Sequence, residues 1–230
     1  MAIMLASAGA STGADFFSLL TGPDRDALSA LGHRRRYRRN TTLFSEGDHS
    51  RYVIVVLSGR VRVSYMTTEG REIFFAIKGE GELLGELSAI DGRPRSATAT
   101  TLGAAEILTI EGADFMSFVE SHPKVALLLL RTVSERLREA DRRQVEFGAL
   151  DTVDRVVRQL VELARTSGER QVPSGAILVH ISQQELAAWT GSSREAVNKA
   201  LATLRATGWL TTQRGGVLVH DLAALERRCH

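Results

Sequence analysis

The feature that most limits what this chain can fold into is a run of alternating four- and three-residue steps: Ala126, Leu130, Val133, Leu137, Ala140, Gln144 and Phe147. Steps of this kind place every member on one stripe of a helix, and Arg131, Glu135, Arg136, Arg138, Arg142 and Arg143 edge that stripe with charge. A stripe so edged predicts a dimer seam; the competing reading is one helix of a bundle. Pro123 suits the first turn, where its missing N–H would have no partner anyway, and Gly148 can end the helix. From Pro123 to Phe147, at ~1.5 Å per residue, the helix runs ~37 Å, enough to join two domains. Leu127, Leu128 and Leu129 widen the apolar face only at its start, where a domain would pack.

A length of 230 residues leaves room for a core on either side of that helix. Net charge is only +2, so a nucleic-acid partner has to be argued from where the arginines sit rather than from their number. The single cysteine, Cys229, can build neither a disulfide framework nor a thiolate zinc or iron–sulfur site. Met1 to Gly13 lacks the basic flank and apolar core of a targeting segment, and Leu127 to Leu130 is too short to span a bilayer. The expectation is a cytoplasmic protein with a disordered start and no membrane partner.

Asp15 to Leu20 and Pro23 to Leu31 read as short helices, the second opened by Thr21. Next come five arginines in seven residues, His33 to Arg39, either a basic patch or a solvated edge strand whose charges prevent pairing with other chains. From Thr41 to Ile110 the period changes to two. Strands are predicted at Tyr52 to Leu57, Val61 to Met66, Glu72 to Ile77, Ala97 to Thr101 and Glu106 to Ile110, with glycine turns between them, as in a jelly roll. His33, His49 and His122 are scattered, so the metal chemistry of jelly-roll enzymes has no ligand set here.

Gly81 to Ala97 interrupts the strands. A glycine, a short helical turn and then Arg95-Ser96 are the parts of a small-anion site: backbone amides, a planar fork of donors and a hydroxyl. Glu86 would be repelled by a phosphate, so it belongs there only if it accepts a hydrogen bond from another part of the ligand, such as a sugar hydroxyl. The plain alternative is a turn with an incidental Glu86–Arg95 ion pair.

Further on, Asp151 can cap a helix to Thr166, and Ala176 to His180 reads as a short strand. Ser182-Gln183-Gln184-Glu185 is a capping box opening Leu186 to Thr190, and Gly191 stops that helix. Ser192-Ser193-Arg194-Glu195 reads as a second box opening Ala196 to Ala206, with Val197, Leu201 and Leu204 inward. Ala187 is small where two such helices must cross. Trp209 to Val219 reads as a hairpin around Gly215-Gly216. Helix, turn, helix and wing predict a DNA reader. Arg194 and Lys199 can donate to guanine and Glu195 can accept from cytosine, while Gln183, Gln184, Ser193 and Arg214 are placed for phosphates. Trp189 reads as core.

The interrupting segment resembles the phosphate-binding cassette of the cyclic-AMP receptor protein and fumarate–nitrate regulator superfamily, and the likeness extends from about Phe16 over nearly the whole chain. The resemblance implies an α+β fold: a jelly-roll effector domain over residues 1–122, a long dimerisation helix over 123–148, and a winged helix-turn-helix domain over 149–230. It implies that Gly85 and the amide of Leu87 line the pocket, Glu86 holds the ribose 2′-hydroxyl, Arg95 and Ser96 hold the cyclic phosphate, and Ala140 and Asp141 stand where the family's Thr-Ser pair meets adenine. It also implies a homodimeric regulator with a cyclic nucleotide effector, cyclic AMP or cyclic GMP, a palindromic double-stranded DNA site, and RNA polymerase as a further partner. Two other readings stay open: a ligand-independent DNA-binding or architectural protein with a vestigial cassette, and a protein-interaction module using the arginine run.

Overall fold

A computed structural model describes residues 15–70 and 72–229, without the side chains of 143, 145–148, 166 and 167; the expected start over Met1 to Gly13 and the Phe147 side chain lie outside the described residues. The described chain divides into two compact units, one comprising residues 15–66 with Phe75–Ala140, the other residues 141–229 with Thr67–Phe74.

The first unit opens with α1 (Phe16–Leu19) and α2 (Gly22–Ala30), the latter capped by the Thr21 hydroxyl. Eight strands follow: β1 (Gly32–Tyr37), β2 (Thr42–Phe44), β3 (Val53–Ser58), β4 (Val61–Met66), β5 (Glu72–Lys78), β6 (Leu83–Leu84), β7 (Thr98–Thr101) and β8 (Ala105–Ile110). They form two antiparallel four-stranded sheets, β1-β8-β3-β6 and β2-β7-β4-β5. All five expected strands are present. β1 is the edge strand that the arginine run allowed, and the two strands without a sequence signal are β2 and β6, too short to display a period.

β3 explains how the core is divided. Val53, Ile54, Val55 and Val56 are all buried, because both faces of this strand are covered. Ile54 and Val56 point between the sheets with Phe44, Val61, Leu84 and Ile107. Val53 and Val55 point outward, where Phe16, Leu28, Phe115, Phe118, Val125 and Leu129 cover the sheet. Those residues come from α1, α2, α4 (Gly112–Ser121) and the start of α5 (Pro123–Ala149). β1 is an edge strand with its arginines exposed; Arg36 pairs with Glu106 at 3.1 Å and Arg35 lies over the Tyr37 ring.

α5 is the expected long helix, and its exposed side only partly coincides with the expected stripe. Ala126 and Val133 are half-buried against the unit's own outer core. The large apolar residues exposed among those described on α5 are Leu127, Leu130 and Leu137, at 58%, 62% and 62% exposure. Their spacing carries the stripe through Ser134 to Asp141 and Gln144, and leaves Ala140 at its border on the Val133 side. Leu130, Leu137 and Gln144 belong to both stripes, so the exposed side is turned from the expected one by only part of the ~100° that one residue makes.

In the second unit α6 (Thr152–Ser167) is capped by the Asp151 carboxylate, as expected. It packs with α7 (Gln183–Thr190), α8 (Arg194–Ala206) and α9 (Leu222–Arg228) beside an antiparallel sheet, β11-β12-β10-β9, made by β9 (Glu169–Arg170), β10 (Ile177–Val179), β11 (Leu210–Gln213) and β12 (Gly216–Val219). Val156, Leu160, Leu186, Val197, Leu201, Leu204 and Leu210 form its core, with Trp189 half-buried against it. Two local readings change. α8 is capped by Ser193, whose hydroxyl accepts from the Ala196 amide, whereas Ser192 donates to the Thr190 carbonyl and so makes no capping box. The wing turns on Arg214-Gly215, Gly215 having φ +83°, and Gly216 is already in β12 opposite Gln213.

Candidate functional site

In the first unit the interrupting segment folds as α3 (Glu86–Asp91), started by Gly85. Gly85 has φ +79°, and a Cβ there would collide with the Arg95 guanidinium, so this position requires glycine on both counts. Arg95 is 2% exposed. Its Nη1 donates to the Gly85 carbonyl at 2.8 Å, Nη2 to the Tyr52 carbonyl at 2.5 Å, and Nε to the Ser50 hydroxyl at 3.1 Å. The guanidinium sits 4.3 Å from the Phe44 ring centroid and 4.8 Å from that of Tyr52. Burial lowers the Arg95 pKa, opposed by Tyr52, Glu86 and Asp48; burial raises that of Tyr52, whose hydroxyl donates to the Leu43 carbonyl.

Glu86 is equally buried, at 2%. It does not pair with Arg95, which disposes of the incidental ion pair. Its Oε1 accepts from Arg136 Nη1 of α5 at 2.5 Å, and Arg136 Nη2 donates to the Leu83 carbonyl at 2.5 Å. Its Oε2 is buried with no hydrogen-bond partner among the described residues. An acceptor left that way costs ~1–3 kcal/mol, more when charged, unless a ligand supplies a donor. Ser96 is exposed, as are the side chains of Leu87, Ala140 and Asp141. The structure thus brings Gly85, Glu86 and Arg95 together at one place, with Ser96 and Leu87 adjoining in the chain.

Arg136 is the residue that the sequence reading placed only as an edge charge. Its signal was available: it lies three residues after Val133 and seven after Leu129, on the core-facing side of α5, where an arginine needs a buried acceptor.

In the second unit the α7 start is the expected capping box. The Ser182 hydroxyl accepts from the Glu185 amide at 3.1 Å, and the Glu185 carboxylate accepts from the Ser182 amide at 2.8 Å. α8 buries Val197, Ala200, Leu201 and Leu204 and turns Arg194, Glu195 and Lys199 to solvent. Arg155 of α6 donates to the Leu150 carbonyl at 2.8 Å and to the Ser192 hydroxyl at 3.3 Å, fixing the turn before α8. A groove of about 320 Å³ lies between the wing and α7, lined by Ser182, Gln183, Gln184, Arg194, Gln213 and Gly215 among others. Carboxamides, hydroxyls and an arginine in one groove suit a phosphodiester backbone. Arg214 stands exposed at the tip of the wing.

No group of three or more His, Cys, Asp or Glu among the described residues is placed to hold a metal ion, and no described helix is long and apolar enough to cross a membrane.

Residues 34–122 match the cyclic nucleotide-binding domain family and residues 154–228 the Crp-like helix-turn-helix domain family. The CRP-like cAMP-activated global transcriptional regulator of Mycobacterium tuberculosis is 30% identical over 213 residues, covering 91% of this chain and 95% of that protein. The cyclic AMP receptor protein of Thermus thermophilus is 32% identical over 214 residues, covering 93% and 96%. Among solved structures, the c-di-GMP responsive global regulator CLP of Xanthomonas campestris superposes with a TM-score of 0.80 at 26% identity, covering 87% of this chain and 100% of that one. A cyclic nucleotide-binding jelly roll, a long helix and a winged reader define a DNA-binding regulator of transcription rather than an enzyme. The chain belongs to the CRP/FNR family of transcription regulators.

Proposed function

We propose that the protein is a homodimer whose affinity for a palindromic DNA site is controlled by a cyclic nucleotide bound at Gly85, Glu86, the Leu87 amide, Arg95 and Ser96. The observation that carries this reading is the Glu86 carboxylate: one oxygen is held by Arg136 of α5, and the other is buried without a donor, an acceptor suited to a ribose hydroxyl. A ligand hydroxyl on Glu86 and a ligand phosphate on Arg95 would load the two residues that join the cassette to its surroundings. Because Arg136 belongs to α5, occupancy of the cassette then biases the position of that helix. Control of this kind requires the ligand to bind the DNA-competent arrangement more tightly than the other. Exposed Leu127, Leu130 and Leu137 support a seam with a second copy. RNA polymerase is the further partner proposed for the DNA-bound dimer, and Gln183, Gln184, Ser193 and Arg214 are the proposed phosphate contacts.

Cyclic AMP, cyclic GMP and c-di-GMP are the candidate effectors, since one relative is described as cAMP-activated and another as c-di-GMP responsive. A ligand-independent reading is favoured by one observation: Arg95 already spends three donors on Gly85, Tyr52 and Ser50. Titration calorimetry of the purified full chain against these three nucleotides, paired with DNA binding in their presence and absence, separates the two. Saturable heat with tighter DNA binding supports ligand control; no heat from any of them with unchanged DNA binding supports the ligand-independent regulator.

A further inference from the structure

We infer that Asn198 is a base-reading residue that selects adenine, one helical turn beyond Arg194. This rests on the assignment of α8 as the reading helix and adds a specificity position to it.

Asn198 is exposed in the interior of α8, and among the described residues its side chain takes part in no hydrogen bond. Asparagine is a poorer helix former than alanine by roughly half a kcal/mol, because its short amide competes for the backbone. Nothing local compensates: α8 is capped by Ser193 at one end, and its apolar face is complete without this position. Elsewhere on its exposed side the helix uses Ala202 and Ala206, so the sequence does not avoid alanine there.

The geometry supplies the role. On a helix, residues four apart lie one above the other, so Arg194 and Asn198 form one row and Glu195 and Lys199 the row beside it. The four side chains make one polar patch on the first two turns of α8, opposite buried Val197, Ala200, Leu201 and Leu204. Asn198 stands ~6 Å along the axis from Arg194, within two base-pair steps of ~3.4 Å. A carboxamide is the side chain that matches adenine in the major groove: Oδ1 accepts from the N6 amine while Nδ2 donates to N7. Against guanine, Oδ1 would face the O6 acceptor and lose that bond. Arg194 and Lys199, which only donate, favour guanine, so Asn198 gives the patch a letter its neighbours cannot read.

The test is a selection from a random double-stranded DNA pool with the full chain, run without nucleotide and with cyclic AMP, cyclic GMP or c-di-GMP, for wild type, Asn198→Ala, Asn198→Asp and Arg194→Ala. Alanine suits an exposed helix position, so the fold survives. Expected is an adenine in each wild-type half-site whose preference, roughly 5- to 150-fold over other bases, disappears in Asn198→Ala while the remaining letters persist. Asn198→Asp should also lose adenine, since a carboxylate cannot donate to N7. A wild-type site unchanged in Asn198→Ala but altered in Arg194→Ala overturns the role of Asn198 and leaves the reading helix standing. Equal weakening on every sequence makes Asn198 a phosphate contact and likewise overturns it. A site unchanged by Arg194→Ala as well, or no enriched site under any condition, overturns the assignment of α8 itself.

Discussion

Arg136 and Glu86 stand fifty positions apart in the chain and meet at 2.5 Å, the arginine on α5 and the carboxylate at the start of α3. This ion pair is the side-chain link between the cassette and the long helix. It leaves the second Glu86 oxygen buried with no hydrogen-bond partner among the described residues.

Breaking that pair from one side should be costly. Arg136→Met strands a carboxylate that is 3% exposed, and the loss of one partner of a buried pair costs up to ~3–5 kcal/mol; the 26% exposure of Arg136 puts the expected loss toward the lower end. Adding Glu86→Gln should recover part of it. A double-mutant cycle in urea should give a coupling of ~1–3 kcal/mol, and a coupling near zero would contradict the geometry.

The exposed stripe of α5 makes its own prediction. Leu137 is 62% exposed in the single chain, so Leu137→Asp should leave the monomer folded. In a dimer it would place an unpaired charge in a desolvated seam twice, at several kcal/mol. Sedimentation should report dimer for wild type and monomer for the variant. Val133→Asp should instead destabilise the chain itself, because Val133 packs on its own core.

On DNA, Arg194→Ala should cost ~1–3 kcal/mol on the preferred site and relax one position, whereas Arg214→Ala, at the tip of the wing, should weaken all sequences alike and lower the salt slope by about one. Lys199→Arg should sharpen preference for guanine, since a planar fork replaces a point charge. A two-fold dimer further predicts half-sites ~34 Å apart. Fluorescence anisotropy over a salt series, on sites varied in sequence and in half-site spacing, checks all four.

The effector's base is the subject of the last prediction. Asp141 falls on the exposed stripe, four residues beyond Leu137, so in a dimer it faces the second copy. A carboxylate can accept two parallel bonds from N1 and N2 of guanine but only one from the adenine amine. Cyclic GMP should therefore bind at least as tightly as cyclic AMP, and Asp141→Ser should shift preference toward cyclic AMP. A cyclic-AMP preference in wild type that survives Asp141→Ser would remove Asp141 from the site, as would pairing of Asp141 with Arg138 or Arg142 alone.

The sequence alone determined what depends on neighbours along the chain. The alternating apolar strands with their glycine turns, the Ser182–Glu185 capping box, the Asp151 cap and the inward face of α8 are set by periods and by hydrogen bonds spanning three or four residues, so each could be read directly. The cassette residues Gly85, Glu86 and Arg95 were legible for the same reason, lying within eleven positions of one another. Tertiary structure decided the rest. Which phase of the α5 repeat is left exposed depends on which residues the jelly roll covers, and spacing contains no record of that. Besides Gly85, the partners of Arg95, namely Ser50, Tyr52 and Phe44, come from more than forty residues away, as does Arg136 for Glu86. Their pairing follows from how the strands, α3 and α5 pack together, and packing sums over the whole fold rather than over any one segment.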